Sequence, residues 1–129
     1  MYLLDTNICI DFVDGRNQRA RQRIRAARAS GLRVSTVTAG ELLVGAKDGT
    51  DPDGDRERAE KFLGLMVVVD FDRAAAEAYG DLVRKVQIKR KSFDRLIAAH
   101  ALSLGLIVVT NNEKDFADVP GLRVENWTV

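Results

Sequence analysis

Apolar residues along this chain fall into short unbroken runs separated by stretches with helical spacing. Residues 1–4, 66–69 and 106–109 are continuous apolar runs without in-out alternation, and 32–36 reads as a further strand; all are too short for helices. That is how strands buried on both faces read. Residues 122–125 form a weaker run, expected as an edge strand. Between these runs, apolar positions at helical spacing predict helices over 8–13, 17–29, 38–44, 57–64, 73–91 and 94–104. Asp14-Gly15, Ser30-Gly31 and Gly105 punctuate them. Residues 47–55, with Gly49, Pro52 and Gly54, read as the one real loop. Alternating strands and helices predict an α/β protein, a three-layer α/β/α sandwich around a central parallel sheet. At 129 residues, and with that loop too short to separate domains, the expectation is a single domain over 1–129.

Composition narrows the classes. Hydrophobic residues make up 46% of the chain, too many for a disordered protein. No apolar run approaches the ~20 residues of a membrane helix. The single cysteine, Cys9, excludes an internal disulfide framework and a cysteine-rich zinc site. The first apolar run lacks a preceding basic region and is cut by Asp5, unlike a secretory signal. A cytoplasmic protein without membrane contact is expected.

Net charge is +1, yet the charges are segregated. Seven arginines and no acid occupy residues 16–33, and six basic residues stand against Asp94 alone over 84–95. Either segment is a solvated helical face or a surface for a polyanion.

Four acids can reach the carboxyl edge of a parallel sheet, where ligands of such sheets bind. Asp5 follows the first strand, Glu41 lies early in the helix after the second, Asp94 opens the apolar helix before the fourth, and Asp115 lies beyond it. Each has a local explanation: Asp5 as a helix cap, Asp94 as a cap or first-turn acid, Glu41 in a capping box with Thr38, Asp115 as a solvated loop acid. Together they repel, by about 4 kcal/mol per pair at ~4 Å and an effective dielectric of 20. A hard divalent cation relieves that repulsion, and an all-oxygen set favours Mg²⁺ or Mn²⁺ over zinc.

The motifs around these acids resemble those of the PIN-domain nucleases. Leu3-Leu4-Asp5-Thr6-Asn7 is similar to their first motif, and Thr38-Ala39-Gly40-Glu41-Leu42-Leu43-Val44-Gly45 to their second. Asp94-Arg95-Leu96-Ile97-Ala98-Ala99-His100-Ala101-Leu102 resembles the third. Val109-Thr110-Asn111-Asn112 through Asp115-Phe116, with Pro120-Gly121-Leu122, resembles the fourth. The nearest branch is that of the VapC-like toxins. The resemblance implies a metal-dependent endoribonuclease, restrained by a cognate antitoxin protein and forming a homodimer. It places Asp5, Glu41, Asp94 and Asp115 in the acidic quartet, with Asn7, Thr110 and Asn112 as supporting polar positions. The chain departs from the family at 87–93, where glycine and an aliphatic residue are common. It departs again at Asp115, where many members carry glutamate.

In chemical terms the expectation is phosphodiester hydrolysis by a metal-activated water. Asp5 and Asp94 are the expected ligands of one ion, Asp115 completes a second site, and Glu41 orients the water. The amides of Asn7 and Asn112 hold carboxylates in place. Arg21, Arg23 and Arg25, with Lys89-Arg90-Lys91, are the candidates for RNA phosphates, since an acidic cluster alone repels its substrate. Cys9, His100 and Trp127 are expected as packing residues. The competing reading is a non-catalytic, nucleic-acid-binding or regulatory module on the same fold.

Overall fold

The computed structural model describes residues 1–45, 50–86 and 92–129. Five strands, β1 (Tyr2–Leu4), β2 (Arg33–Ser35), β3 (Val67–Val69), β4 (Ile107–Thr110) and β5 (Val124–Asn126), form one sheet in the order β3-β2-β1-β4-β5. Every pairing is parallel, with Leu3 opposite Val108, Val34 opposite Val68 and Val109 opposite Glu125. Six α-helices lie between the strands: α1 (Thr6–Asp14), α2 (Gln18–Ala27), α3 (Thr36–Val44), α4 (Pro52–Leu65), α5 (Arg73–Lys85) and α6 (Phe93–Leu104).

Alternation along the strands builds two cores. Leu4, Val34 and Val109 face Ile8, Ile24 and Phe62 on one side, while Leu3 and Val108 face Leu82, Ile97 and Phe116 on the other. Each such aliphatic side chain contributes roughly 1.5–3 kcal/mol on burial. β1 and β4 lack polar alternation because both faces are covered, whereas β3, at the sheet edge, leaves Val67 and Val68 exposed despite its apolar run, against the expectation of burial on both faces. Gly15 and Gly105 end α1 and α6 with φ of 68° and 65°, left-handed values that glycine adopts without the Cβ penalty.

Several boundaries differ from the sequence pattern, α1 among them, which begins at Thr6 rather than at residue 8 because Asp5 caps it. α3 begins at Thr36 rather than at residue 38, capped by Ser35, whose hydroxyl accepts the N–H of Val37. α4 begins at Pro52, inside the expected loop, because Asp51 accepts the N–H of Gly54 and proline suits a first helical turn. α5 ends at Lys85, and the remainder of the helix expected to residue 91 falls largely outside the described residues.

The strand order carries the functional consequence. The chain winds from β1 outward to β2 and β3, then returns through α5 and α6 to place β4 on the other side of β1. The order therefore reverses between β1 and β4, leaving a crevice at their carboxyl ends. Asp5 ends β1 there, with its backbone N–H on Val109 O at 2.9 Å.

Candidate active site

Asp5 is both a helix cap and the base of the crevice. Its Oδ1 accepts the N–H of Ile8 at 2.8 Å, and its Oδ2 accepts the Thr110 hydroxyl at 2.6 Å. The residue is 1% exposed. Its pKa is raised to about 6, chiefly by burial and also by the charges of Asp94 and Asp115, against the pull of Thr110 and Ile8. The capping reading of Asp5 is realised through Oδ1, while Oδ2 is held by Thr110 at the crevice.

Glu41 does not form the capping box with Thr38. Thr38 lies buried within α3, two residues beyond its start. Instead, Thr6 donates its hydroxyl to Glu41 Oε1 at 2.6 Å and lies 3.0 Å from the Thr38 hydroxyl. With the Thr6 proton committed to Glu41, Thr38 is the donor in that second bond. The sequence reading missed Thr6. Its signal was its position directly after Asp5, where the strand turns into the helix.

Asp94 sits in the first turn of α6, half-buried, with Ser92 rather than Asp94 at the N-cap. Burial raises its pKa, as do the charges of Asp115 and Glu41, while Arg95 lowers it. Asp115 ends a short 3-10 turn, Glu113–Asp115, and accepts the Asn112 amide at 3.1 Å. Asn112 also gives its backbone N–H to Thr110 Oγ1 at 3.0 Å. Asn7 is exposed, and among the described residues no hydrogen bond joins its side chain to an acid. The carboxylates are held instead by Thr6, Thr110 and Asn112.

The four acids therefore influence one another through their charges at one edge of the sheet. Their donors are all oxygen, the kind of set that suits Mg²⁺ or Mn²⁺. Among the described residues no three acids stand close enough to hold an ion between them in this conformation. They fit such an ion in chemistry and charge, without having converged on a point.

The basic candidates divide. Arg21 donates to Phe12 O at 2.6 Å and stacks its guanidinium 4.9 Å from that ring. Arg23 lies 5.0 Å over Trp127 and 3.6 Å from Glu125. Arg25 is exposed. Lys89, Arg90 and Lys91 lie outside the described residues. His100 is buried edge-on to Phe71, with Nδ1 unpartnered and its pKa lowered by burial. Cys9 and Trp127 are also buried, as packing residues. Among the described residues, no helix is long and apolar enough to cross a membrane.

Comparison with known proteins converges on one group. The PIN domain family model matches residues 2–122. The tRNA(fMet)-specific endonuclease VapC of Shigella flexneri is 36% identical over 132 residues, covering 98% of each chain. The protein of the same description from Salmonella typhimurium is 34% identical over 131 residues, covering 98% of this chain and 97% of its own. A crystal structure of DNA-bound VapBC from Salmonella typhimurium matches with a TM-score of 0.88 at 33% identity, covering 98% of this chain and 97% of that one.

Proposed function

This chain belongs to the PIN-domain family, and from that premise we propose that it is a metal-dependent endoribonuclease, the toxin of a toxin–antitoxin pair. The observation that supports the reading is that Asp5, Glu41, Asp94 and Asp115 lie at the carboxyl edge of the sheet, near enough that the charges of Asp94 and Asp115 raise the pKa of Asp5 and those of Asp115 and Glu41 raise that of Asp94. The names of its relatives make transfer RNA the first substrate class to test, with the initiator species ahead of others.

Asp5 and Asp94 would hold a divalent cation, Mg²⁺ or Mn²⁺, and Asp115 would complete the ligand set. When bound, the ion lowers the pKa of a water and offsets the charge gathering on the phosphate. Glu41, held by the Thr6 hydroxyl, would orient that water. Thr110 holds Asp5 in one rotamer, and Asn112 does the same for Asp115. Arg25 and the basic segment 89–91 offer charge for the flanking phosphates.

A groove of about 230 Å³ between α1, α3 and α4 is lined by apolar Ile10, Val13, Leu42 and Ala59 and by charged side chains, Glu41 and Arg58 among them. It suits an antitoxin segment that lays apolar side chains along the groove and turns a basic one toward the acids. The exposed Val44 and Phe93 flank a second apolar groove, between α3 and α6, and a second copy of the chain is the occupant we assign there.

The test is incubation of purified protein with total and initiator transfer RNA, in Mg²⁺, in Mn²⁺ and in EDTA. Discrete cleavage that EDTA abolishes is expected, together with growth arrest on expression that a small neighbouring protein relieves. Intact RNA in both metals returns the chain to the non-catalytic reading.

A further inference from the structure

Asp94 and Asp115 carry like charge and sit on different elements, so something must fix their separation before an ion arrives. Arg95, the next residue on α6, does not turn toward the crevice. Its Nη1 and Nη2 donate to Asp118 Oδ1 and Oδ2 at 2.5 and 2.8 Å, a two-pronged pair. Arg95 is only 15% exposed, while Asp118 is 50% exposed. Asp118 stands three residues after Asp115, between Phe116 and Val119, both buried in the core that α6 shares. At its other end the same segment is tied to α1 by the Asn111 amide on Asp11 Oδ2 at 2.8 Å. The segment bearing Asp115 is thus fastened on both sides, and the α6 fastening begins one residue from Asp94.

We infer that Arg95 is a positioning residue of the metal site, which sets the distance between Asp94 and Asp115 by clamping Asp118. A planar guanidinium meeting a carboxylate through two parallel bonds fixes orientation as well as distance, which lysine at the same place does not. The pair is neutral overall, so it joins the two acidic elements without adding net charge to the crevice. This inference rests on the metal-site reading above.

The test is titration of Mn²⁺ into the full chain by calorimetry, for the parent, Arg95→Met, Asp118→Asn and the double variant, with circular dichroism confirming the fold of each. Removing a cation beside Asp94 should by itself strengthen binding of Mn²⁺, so plain electrostatics predicts tighter binding by Arg95→Met. Positioning predicts the opposite sign, about tenfold weaker binding, as for other groups that orient metal ligands. Asp118→Asn, nearly isosteric and half-exposed, should weaken binding to a similar degree. The double variant should be no weaker than either single one, because both remove one clamp. Unchanged or tighter binding by Arg95→Met, or losses that add in the double variant, overturns the clamp while leaving the metal site intact. A parent that binds no Mn²⁺ overturns both readings.

Discussion

Thr110 donates its hydroxyl to Asp5 Oδ2 at 2.6 Å while its own oxygen accepts the backbone N–H of Asn112 at 3.0 Å. The second bond aims the first, because an oxygen occupied by the Asn112 N–H turns its proton toward the carboxylate. One buried threonine thereby joins the ends of β1 and β4 and aligns the turn that leads to Asp115. Thr110 thus has a local physical task in this chain.

Replacement of Thr110 by valine keeps the shape and removes both functions. Asp5 Oδ2 then lies buried without a donor, and the Asn112 N–H loses its acceptor. The loss expected is on the order of 1–3 kcal/mol, read by urea unfolding in EDTA. Nuclease activity should also fall, since Asp5 becomes harder to ionise. Equal stability of the two proteins would show that the bond carries no weight.

The raised pKa of Asp5 gives a pH dependence of definite sign. An acid whose folded pKa, here about 6, exceeds its ordinary 3.8 binds its proton more tightly in the folded state. Its contribution to stability is therefore full below pH ~4 and is lost as pH rises through 6. Asp94 shifts in the same direction. Metal-free protein is expected to be more stable at pH 5 than at pH 7.5, by about 1.4 kcal/mol from Asp5, roughly half of the full ~3 kcal/mol that the shift is worth below pH ~4. Stabilisation by Mg²⁺ should run oppositely and shrink toward pH 5, because the ion requires ionised ligands. Thermal melts across this range, with and without Mg²⁺, check both slopes.

The sheet was legible where its strands are buried on both sides, so that 106–109 shows as an uninterrupted apolar run; 66–69 reads the same way although β3 is an edge strand with Val67 and Val68 exposed. Strand order was not legible: nothing in the runs themselves says that β4 returns beside β1. The acids could be found because strand ends are marked by the change from aliphatic to polar residues at Asp5 and Thr110. What holds them could not be found the same way. Thr6 reaches Glu41 across 35 residues of sequence and Arg95 reaches Asp118 across 23, and such pairings depend on packing rather than local pattern. The capping box misled for a related reason. Thr38 and Glu41 have its spacing, but Ser35 had already started the helix.

The arginines of α2 should separate in function. Arg23 stacks on Trp127 and faces Glu125, so Arg23→Ala removes packing between α2 and the C-terminal strand. A cost of about 0.5–1 kcal/mol is expected for an exposed contact of this kind. Arg25 is exposed, and Arg25→Ala should leave the melting temperature unchanged. If Arg25 meets a phosphate, its loss flattens the salt dependence of RNA binding by ~0.7 in slope for single-stranded RNA, without moving the cut. Binding measured from about 50 to about 200 mM salt distinguishes the two. An unchanged slope in Arg25→Ala assigns the exposed face of α2 to solvent.

Asp94→Asn separates chemistry from structure most sharply. The helix does not depend on this residue for its cap, since α6 starts after Ser92. Removing a first-turn acid costs roughly 0.3–1 kcal/mol through the helix dipole. Against that, the substitution relieves the repulsion of Asp94 with Asp115 and Glu41 and removes a charge that burial penalises. The two effects are comparable, so the variant is expected to melt in EDTA at the parent's temperature or above it. Cleavage should nevertheless be abolished, because an uncharged amide is a poor ligand for a hard cation. Added Mg²⁺ should stabilise the parent by RT ln(1 + [L]/Kd) and the variant much less. An active Asp94→Asn protein that Mg²⁺ stabilises as fully as the parent would remove Asp94 from the site and leave it a first-turn acid of α6.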